Sequence, residues 1–156
     1  GIHMITVVLG VEAVDGDPYA RFVATSSLMN YVVRTFVSSI VVKEGDPYGK
    51  SKATVMDGKS ETVLAVAKKD FYIVEKQGSQ AEPKIQFKSD QESFRAPVKS
   101  GTNLGKLHYT DPDKIGRGYL EDQEPTVDMV SGRTIEKSFF LKVWWNEFVR
   151  YVNEKL

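Results

Sequence analysis

The sequence predicts a mainly β fold: a small antiparallel β-sandwich domain with a strand–helix unit before it and an amphipathic helix after it. Between residues 37 and 131, short runs with strand character alternate with turn sequences such as Asp57-Gly58-Lys59. Residues 1–36 contain one apolar run and one segment with apolar residues at helical spacing. Residues 132–156 again show helical spacing, which predicts a final helix beginning near Thr134.

The β-sandwich prediction rests on several short strands at close, regular spacing. Asp57-Gly58 between two alternating runs is typical of a tight hairpin. The predicted strands are residues 38–43, 52–56, 61–67, 71–75, 85–88, 104–109, 119–122 and 126–130.

Residues 1–36 are predicted to hold one strand and one helix. The apolar run of residues 4–11 is typical of a strand buried on both faces. Asp17 is the predicted N-cap of the helix, with Pro18 at its first position, and apolar residues recur at helical spacing up to Phe36. Since a single strand leaves both edges unpaired, we expect residues 1–36 to be the end of a larger domain.

Composition excludes several classes of function. Lys plus Arg and Asp plus Glu both number 21, and this balance argues against a nucleic-acid-binding protein. The absence of cysteine excludes disulfides, zinc–thiolate sites and cysteine nucleophiles. The two histidines, His3 and His108, have no partner at metal-ligand spacing, and Asp111-Pro112-Asp113 is ordinary turn chemistry. We therefore expect neither a metal ion nor a cofactor.

The final helix is the firmest candidate for a functional surface. Its longest uninterrupted apolar stretches are three residues, whereas a spanning helix needs about 20, so it is not expected to cross a bilayer. Packing on the protein's own core or on a partner protein would also suit an amphipathic helix. Its aromatic content favours a membrane surface, where an apolar body and a polar edge are both satisfied. The predicted membrane-facing residues are Phe140, Leu141, Trp144, Trp145, Phe148, Val149, Tyr151, Val152 and Leu156.

Four stretches, in this order, resemble one protein family. The first is GIHMITVVLG at residues 1–10, with the helix that follows it to Phe36. The others are KDFYIV at 69–74, FRAPVKSGTNLGKL at 94–107 and SFFLKVWW at 138–145. Together they resemble the C-terminal part of the low-molecular-mass penicillin-binding proteins, which are serine-type D-alanyl-D-alanine carboxypeptidases.

The resemblance implies a role for each part of the chain. Residues 1–36 would be the last strand and helix of a transpeptidase-like α/β catalytic domain, the rest of which is expected to lie outside this chain. Residues 37–131 would be the C-terminal β-domain, a pedestal, and residues 132–156 the amphipathic membrane-anchoring helix. The whole protein would trim peptidoglycan stem peptides through its catalytic domain, while held peripherally on the outer face of the bacterial cytoplasmic membrane.

No catalytic residue is expected within the chain itself. Family catalysis needs Ser-x-x-Lys and Ser-x-Asn, and neither pattern occurs. Lys99-Ser100-Gly101 matches the family's third motif literally, but it lies in the β-domain's own pattern, where Ser100-Gly101 is interpreted as a turn. We therefore expect the chain alone to be inactive.

A different class of function stays open. The chain is also compatible with a β-module that binds cell-wall glycan or a protein. Its sugar site would be lined by Tyr48, Tyr72, Tyr109 and Tyr119, although aromatic residues on strands are more often part of the core. We also expect self-association, either through the exposed helix or by edge pairing of the strand at residues 4–11.

Overall fold

The computed structural model describes residues 3–11, 18–79, 82–111 and 124–155. Their regular elements, in chain order, are α1 Ala20–Thr35, β1 Phe36–Val42, β2 Pro47–Met56, β3 Thr62–Ala67, β4 Phe71–Lys76, β5 Lys84–Ser89, β6 Phe94–Arg95, β7 Asn103–Thr110, β8 Thr126–Ser131 and α2 Phe140–Lys155. The mainly β fold that the sequence predicts is confirmed. The predicted strand at residues 119–122 lies outside the described residues.

Six strands form one sheet in the order β5-β7-β8-β3-β2-β6. Neighbouring strands are antiparallel except for β2 and β6, which are parallel. The sheet curls and brings its two edges toward each other. Residues 85–87 of β5, at one edge, line the same cavity of about 310 Å³ as residues 48–52 of β2, near the other edge. Strand alternation places one apolar side of the curled sheet inside.

The core lies inside this curled sheet. Alternating residues of the strands are buried, as in β2, where Ala53 and Val55 are buried and their neighbours Lys52 and Thr54 are exposed. The most deeply buried large side chains are Leu104, Leu107, Met129, Val63 and Val127.

The chain that follows β8 still belongs to the sheet. Ile135 is buried and exchanges backbone hydrogen bonds with Val98, at 2.7 and 2.9 Å. Lys137 forms a β-bridge with Gly58 on the turn between β2 and β3. The final helix therefore begins at Phe140 and not near Thr134, because the sheet holds residues 135–138 in an extended conformation. We call the six-stranded sheet together with residues 135–138 the β module.

Contacts divide the chain into two compact units, residues 1–40 with 72–81 and residues 41–71 with 82–156. The first unit holds α1 and most of the paired strands β1 and β4. Ser39 donates a hydrogen bond to Glu75 at 3.2 Å, and the Gln77 amide donates to the Thr35 carbonyl at 2.7 Å. The second unit holds the β module and α2.

Two predictions about the first unit are wrong. Residues 4–11 form no strand, because none of the described strands hydrogen-bonds to them, and Ile5 is 95% exposed. The helix begins at Ala20 with Tyr19 at the N-cap position, so neither Asp17 nor Pro18 occupies its predicted position. Asp17 itself lies outside the described residues. No residue of α1 is buried.

Candidate functional site

Three aromatic side chains on α2 form an exposed row. Trp144, Phe148 and Tyr151 are 61, 48 and 60% exposed. Their spacing of four and three residues places them on one side of the helix. The rings of Trp144 and Phe148 stack with centroids 6.1 Å apart and planes 18° from parallel. These three residues, which we call the aromatic row, give the helix a continuous apolar surface open to the surroundings.

The other residues of the predicted membrane-facing set differ in how far they are exposed. Trp145 and Val149 are exposed, and Val152 is half-buried. The side chains of Phe140, Leu141 and Leu156 lie outside the described residues. No helix among the described residues is both long and apolar enough to cross a membrane.

A cleft of about 370 Å³ separates part of α2 from the β module. On the helix side it is lined by Trp145, Val149 and Arg150, and on the module side by residues 55–58 and Glu61. At 100° per residue, Val149 and Arg150 lie about 140° and about 120° around the helix from Trp144, in opposite directions. The helix therefore faces the module with the side opposite Trp144, and the aromatic row points away from the module.

Asp57 is the point on the module to which α2 is joined. Its side chain is only 3% exposed. Nη2 of Arg150 lies 3.3 and 3.4 Å from its two carboxylate oxygens, and Nη1 of Arg150 lies 3.6 Å from Sδ of Met56. Nε of Arg95, on β6, lies 3.4 Å from Oδ2 of the same carboxylate. A buried charge is costly without a partner, and here two guanidinium groups supply one.

The turn between β2 and β3 explains how a carboxylate comes to be buried there. Asp57 has a φ of +58°, a conformation that aspartate adopts more readily than most residues. The next residue, Gly58, has no room for a side chain. A Cβ at this position would lie 2.9 Å from Cγ2 of Ile135 and from the carbonyl oxygen of Ser60. The Ser138 amide then donates to the Asp57 carbonyl at 2.8 Å, so the chain entering α2 is joined to this turn.

Sequence reasoning missed the pairing of Asp57 with Arg150. Helical periodicity alone puts Arg150 on the polar side of α2 and assigns it no partner. Asp57 appeared only as a turn residue. The two residues are 93 positions apart, and no local pattern connects them.

The other candidates have structural roles. Lys99-Ser100-Gly101 forms the predicted turn: the Thr102 amide donates to the Lys99 carbonyl at 3.1 Å, and Gly101 has a φ of +82°. Tyr109 is 2% exposed and therefore belongs to the core, not to a sugar-binding surface. Tyr72 is exposed, Tyr48 is half-buried, and Tyr119 lies outside the described residues.

The pKa values of His108 and Glu136 are displaced from their ordinary values. Burial, reinforced by the positive charges of Lys88 on the neighbouring strand β5 and of Lys106 on the same strand β7, lowers the pKa of His108 below 6.5. A hydrogen bond from Lys59 lowers the pKa of the Glu136 carboxyl below its ordinary value. Within the described ranges, no three His, Cys, Asp or Glu residues are grouped so as to hold a metal ion.

Comparison with protein families gives a match over about two thirds of the chain. Residues 36–137 match the family described as "Penicillin-binding protein 5, C-terminal domain". The match begins at the first residue of β1 and ends within the extended segment before α2, so it includes the whole six-stranded sheet.

Solved structures with a similar fold include a peptidoglycan synthesis regulatory factor (PBP3) from Streptococcus pneumoniae, with a TM-score of 0.72 and 44% identity over 80% of this chain. Penicillin binding protein 5 from Haemophilus influenzae gives 0.58 and 19% identity over 76% of this chain. The D-alanyl-D-alanine carboxypeptidase DacD from Francisella tularensis gives 0.52 and 13% over 79%. The matched regions cover 34, 31 and 28% of those three chains, so this chain spans about a third of their length.

Proposed function

Because this chain belongs to the penicillin-binding protein 5 C-terminal domain family, we propose that it holds a D-alanyl-D-alanine carboxypeptidase against a membrane surface. The β module is the non-catalytic support, and the aromatic row of α2 is the part that enters the lipid interface. The observation that carries the proposal is the direction of that row, which points away from the β module while the opposite side of the helix faces the module.

The chemistry of the row suits a lipid interface. Trp and Tyr place an apolar ring beside a polar N–H or O–H group, and both parts find partners at the level of lipid headgroups. The helix carries nearly balanced charge, with Lys142, Arg150 and Lys155 against Glu147 and Glu154. Burial of apolar surface therefore supplies most of the binding free energy, and we expect little dependence on lipid charge.

The activity of the whole protein is part of the proposal. It would remove the terminal D-alanine from peptidoglycan stem peptides, and it would lie on the outer face of the cytoplasmic membrane, where that substrate is found. Support comes from the family match and from the 44% identity to a peptidoglycan synthesis regulatory factor over most of this chain. The sequence offers no Ser-x-x-Lys, so the nucleophile would come from the remainder of such a protein.

Co-sedimentation with phospholipid vesicles tests the membrane role. The full chain is compared with a chain that ends after Phe139, which keeps Ile135 in the core and the pairing of residues 135–138 intact. We expect the full chain to sediment with zwitterionic and anionic vesicles alike, and the shortened chain to stay in solution. Equal partitioning of the two chains would refute the role of α2.

Sedimentation with purified peptidoglycan separates this proposal from a glycan-binding module. A support without a sugar site stays in solution in this assay, with or without α2. Retention of the shortened chain on peptidoglycan would instead place a binding site on the β module.

A further inference from the structure

Arginines from two different elements are joined to the Asp57 carboxylate, Arg95 from β6 and Arg150 from α2. We infer that Asp57 seats α2 on the β module through Arg150, and that Arg95 keeps the carboxylate paired when the helix leaves. Asp57 and Arg150 are thus positioning residues that fix the direction of the aromatic row. The use of this seat at a membrane rests on the proposed function, whereas the seat itself is a property of the chain in solution.

Two separate contacts with the same residue define the direction of the helix. The first lies just before α2, where the Ser138 amide donates to the Asp57 carbonyl at 2.8 Å. The second lies within α2, where Arg150 reaches the Asp57 carboxylate at 3.3 Å. With the first contact alone, α2 could rotate as a rigid body about its N-terminus. The second contact removes that freedom and holds the side opposite Trp144 toward the cleft.

The partial burial of Arg150 suits it to hold α2 on the β module. Its side chain is 37% exposed, whereas that of Arg95 is 62% exposed. A charge pair that is partly removed from water is screened less by salt than an exposed pair. Arg150 also contacts the Met56 sulfur at 3.6 Å, so its guanidinium is held from two sides.

Arg95 makes the seat reversible. Departure of the helix takes away one of the two positive partners of a carboxylate that is 3% exposed while α2 is seated. Arg95 contacts Oδ2 of that carboxylate from within the sheet and stays there when α2 moves. The helix can therefore leave its seat without loss of the fold of the β2–β3 turn.

Distances between spin labels test the seat directly. The chain contains no cysteine, so Asn153→Cys on α2 and Lys99→Cys on the sheet turn give two unique labelling sites. Double electron–electron resonance in solution, without lipid, should give one narrow distance distribution for this labelled background. Arg150→Gln should lose the narrow peak, and Arg150→Lys should recover part of it.

Lys137→Gln is the matched control, because it removes one exposed positive charge from the segment that leads into the same helix. It should keep the narrow distribution. An unchanged distribution in Arg150→Gln would overturn the inference. Thermal unfolding of each variant shows that the β module is folded, and since Arg150 is partly exposed its replacement leaves the core untouched.

Arg95→Gln tests the second half of the inference. Alone, it should leave α2 seated, because Arg150 still pairs with Asp57. Combined with Arg150→Gln, it should lower the unfolding midpoint by more than the sum of the two single effects, since Asp57 then has no partner. Release of α2 by Arg95→Gln alone, or strict additivity, would contradict the role given to Arg95.

The same labelled proteins, bound to vesicles, separate the seat from the membrane role. Arg150→Gln should still sediment with vesicles, because its aromatic row is intact, but with a broad distance distribution. Failure of both proteins to sediment would refute the proposed function and leave the solution result standing. Equal narrow distributions on vesicles would refute the use of the seat at a membrane and leave the solution result standing.

Discussion

Replacement of the aromatic row by serine is the sharpest test of the surface that α2 presents. The variant Trp144→Ser/Phe148→Ser/Tyr151→Ser keeps Arg150 and therefore the seat of the helix on the β module. Serine is shorter and polar, so the variant removes the apolar rings and leaves the helix face in place. We expect a large loss of vesicle binding with little change in thermal stability, because all three rings are about half exposed or more in the folded chain.

The expected loss follows from the exposed area. With aromatic side chains of about 150–250 Å² each, the exposed fractions of 61, 48 and 60% leave roughly 350 Å² open. A helix that lies flat on a membrane buries about half of this area, which at about 25 cal/mol per Å² is worth about 4 kcal/mol. Since about 1.4 kcal/mol corresponds to a tenfold change, vesicle affinity should fall roughly a thousandfold.

The assay is a vesicle titration followed by co-sedimentation, with Tyr72→Ser as the control. Tyr72 is an exposed aromatic residue on β4, outside α2, and its replacement should leave vesicle affinity unchanged. Two results would refute the reasoning: a triple variant that binds vesicles as tightly as the parent, or a control variant that loses as much affinity as the triple variant.

Four further outcomes are expected. Gly105→Ala should lower the free energy of unfolding by about 3 kcal/mol in urea titrations, because its Cβ would lie 2.1 Å from the Lys88 carbonyl oxygen at a φ of +148°; an unchanged midpoint would contradict this. The lowered pKa of His108 means that the unfolded chain binds more protons just below pH 6.5, so the free energy of unfolding should rise with pH through that window, and His108→Gln should abolish this slope. Incubation of the chain with a fluorescent penicillin should leave its gel band dark, whereas stable labelling would reveal a nucleophile. In concentrated lipid-free solution the chain should self-associate through its aromatic row, as measured by light scattering, and the triple serine variant should stay monomeric.

Sequence periodicity predicted the strands well, for a physical reason. The alternation of exposed and buried residues in a strand such as β2 can be recognised from neighbouring residues in the sequence. Turn residues such as Asp57 and Gly58 mark where the alternation ends. The predicted strands from residue 38 to residue 109, and the one at 126–130, all lie within or largely overlap strands of the structure. The strand β6 was missed because two residues, Phe94 and Arg95, are too few to show a period.

Local patterns failed where a distant partner decides the conformation. Residues 135–138 follow Ser131-Gly132 and precede a clear helical period, so they were assigned to the helix. Their pairing with Val98 and Gly58 holds them extended. Residues 4–11 have strand composition but form no strand, since composition supplies no hydrogen-bonding neighbour. The apolar face of α2 followed from its own periodicity, whereas its seat at Asp57 depends on a residue far away in sequence.

The pairing of residues 135–138 with the sheet leaves almost no slack between the sheet and the final helix. Hydrogen bonds hold the chain up to Ser138, and α2 begins at Phe140, so a single residue, Phe139, separates the last of these hydrogen bonds from the helix. One extended residue reaches at most about 3.6 Å. A domain that is joined to its membrane anchor by a long flexible linker can adopt a range of heights above the membrane. Under the proposed function, the height of the β module above the membrane would therefore be set by the dimensions of the fold and not by a flexible linker.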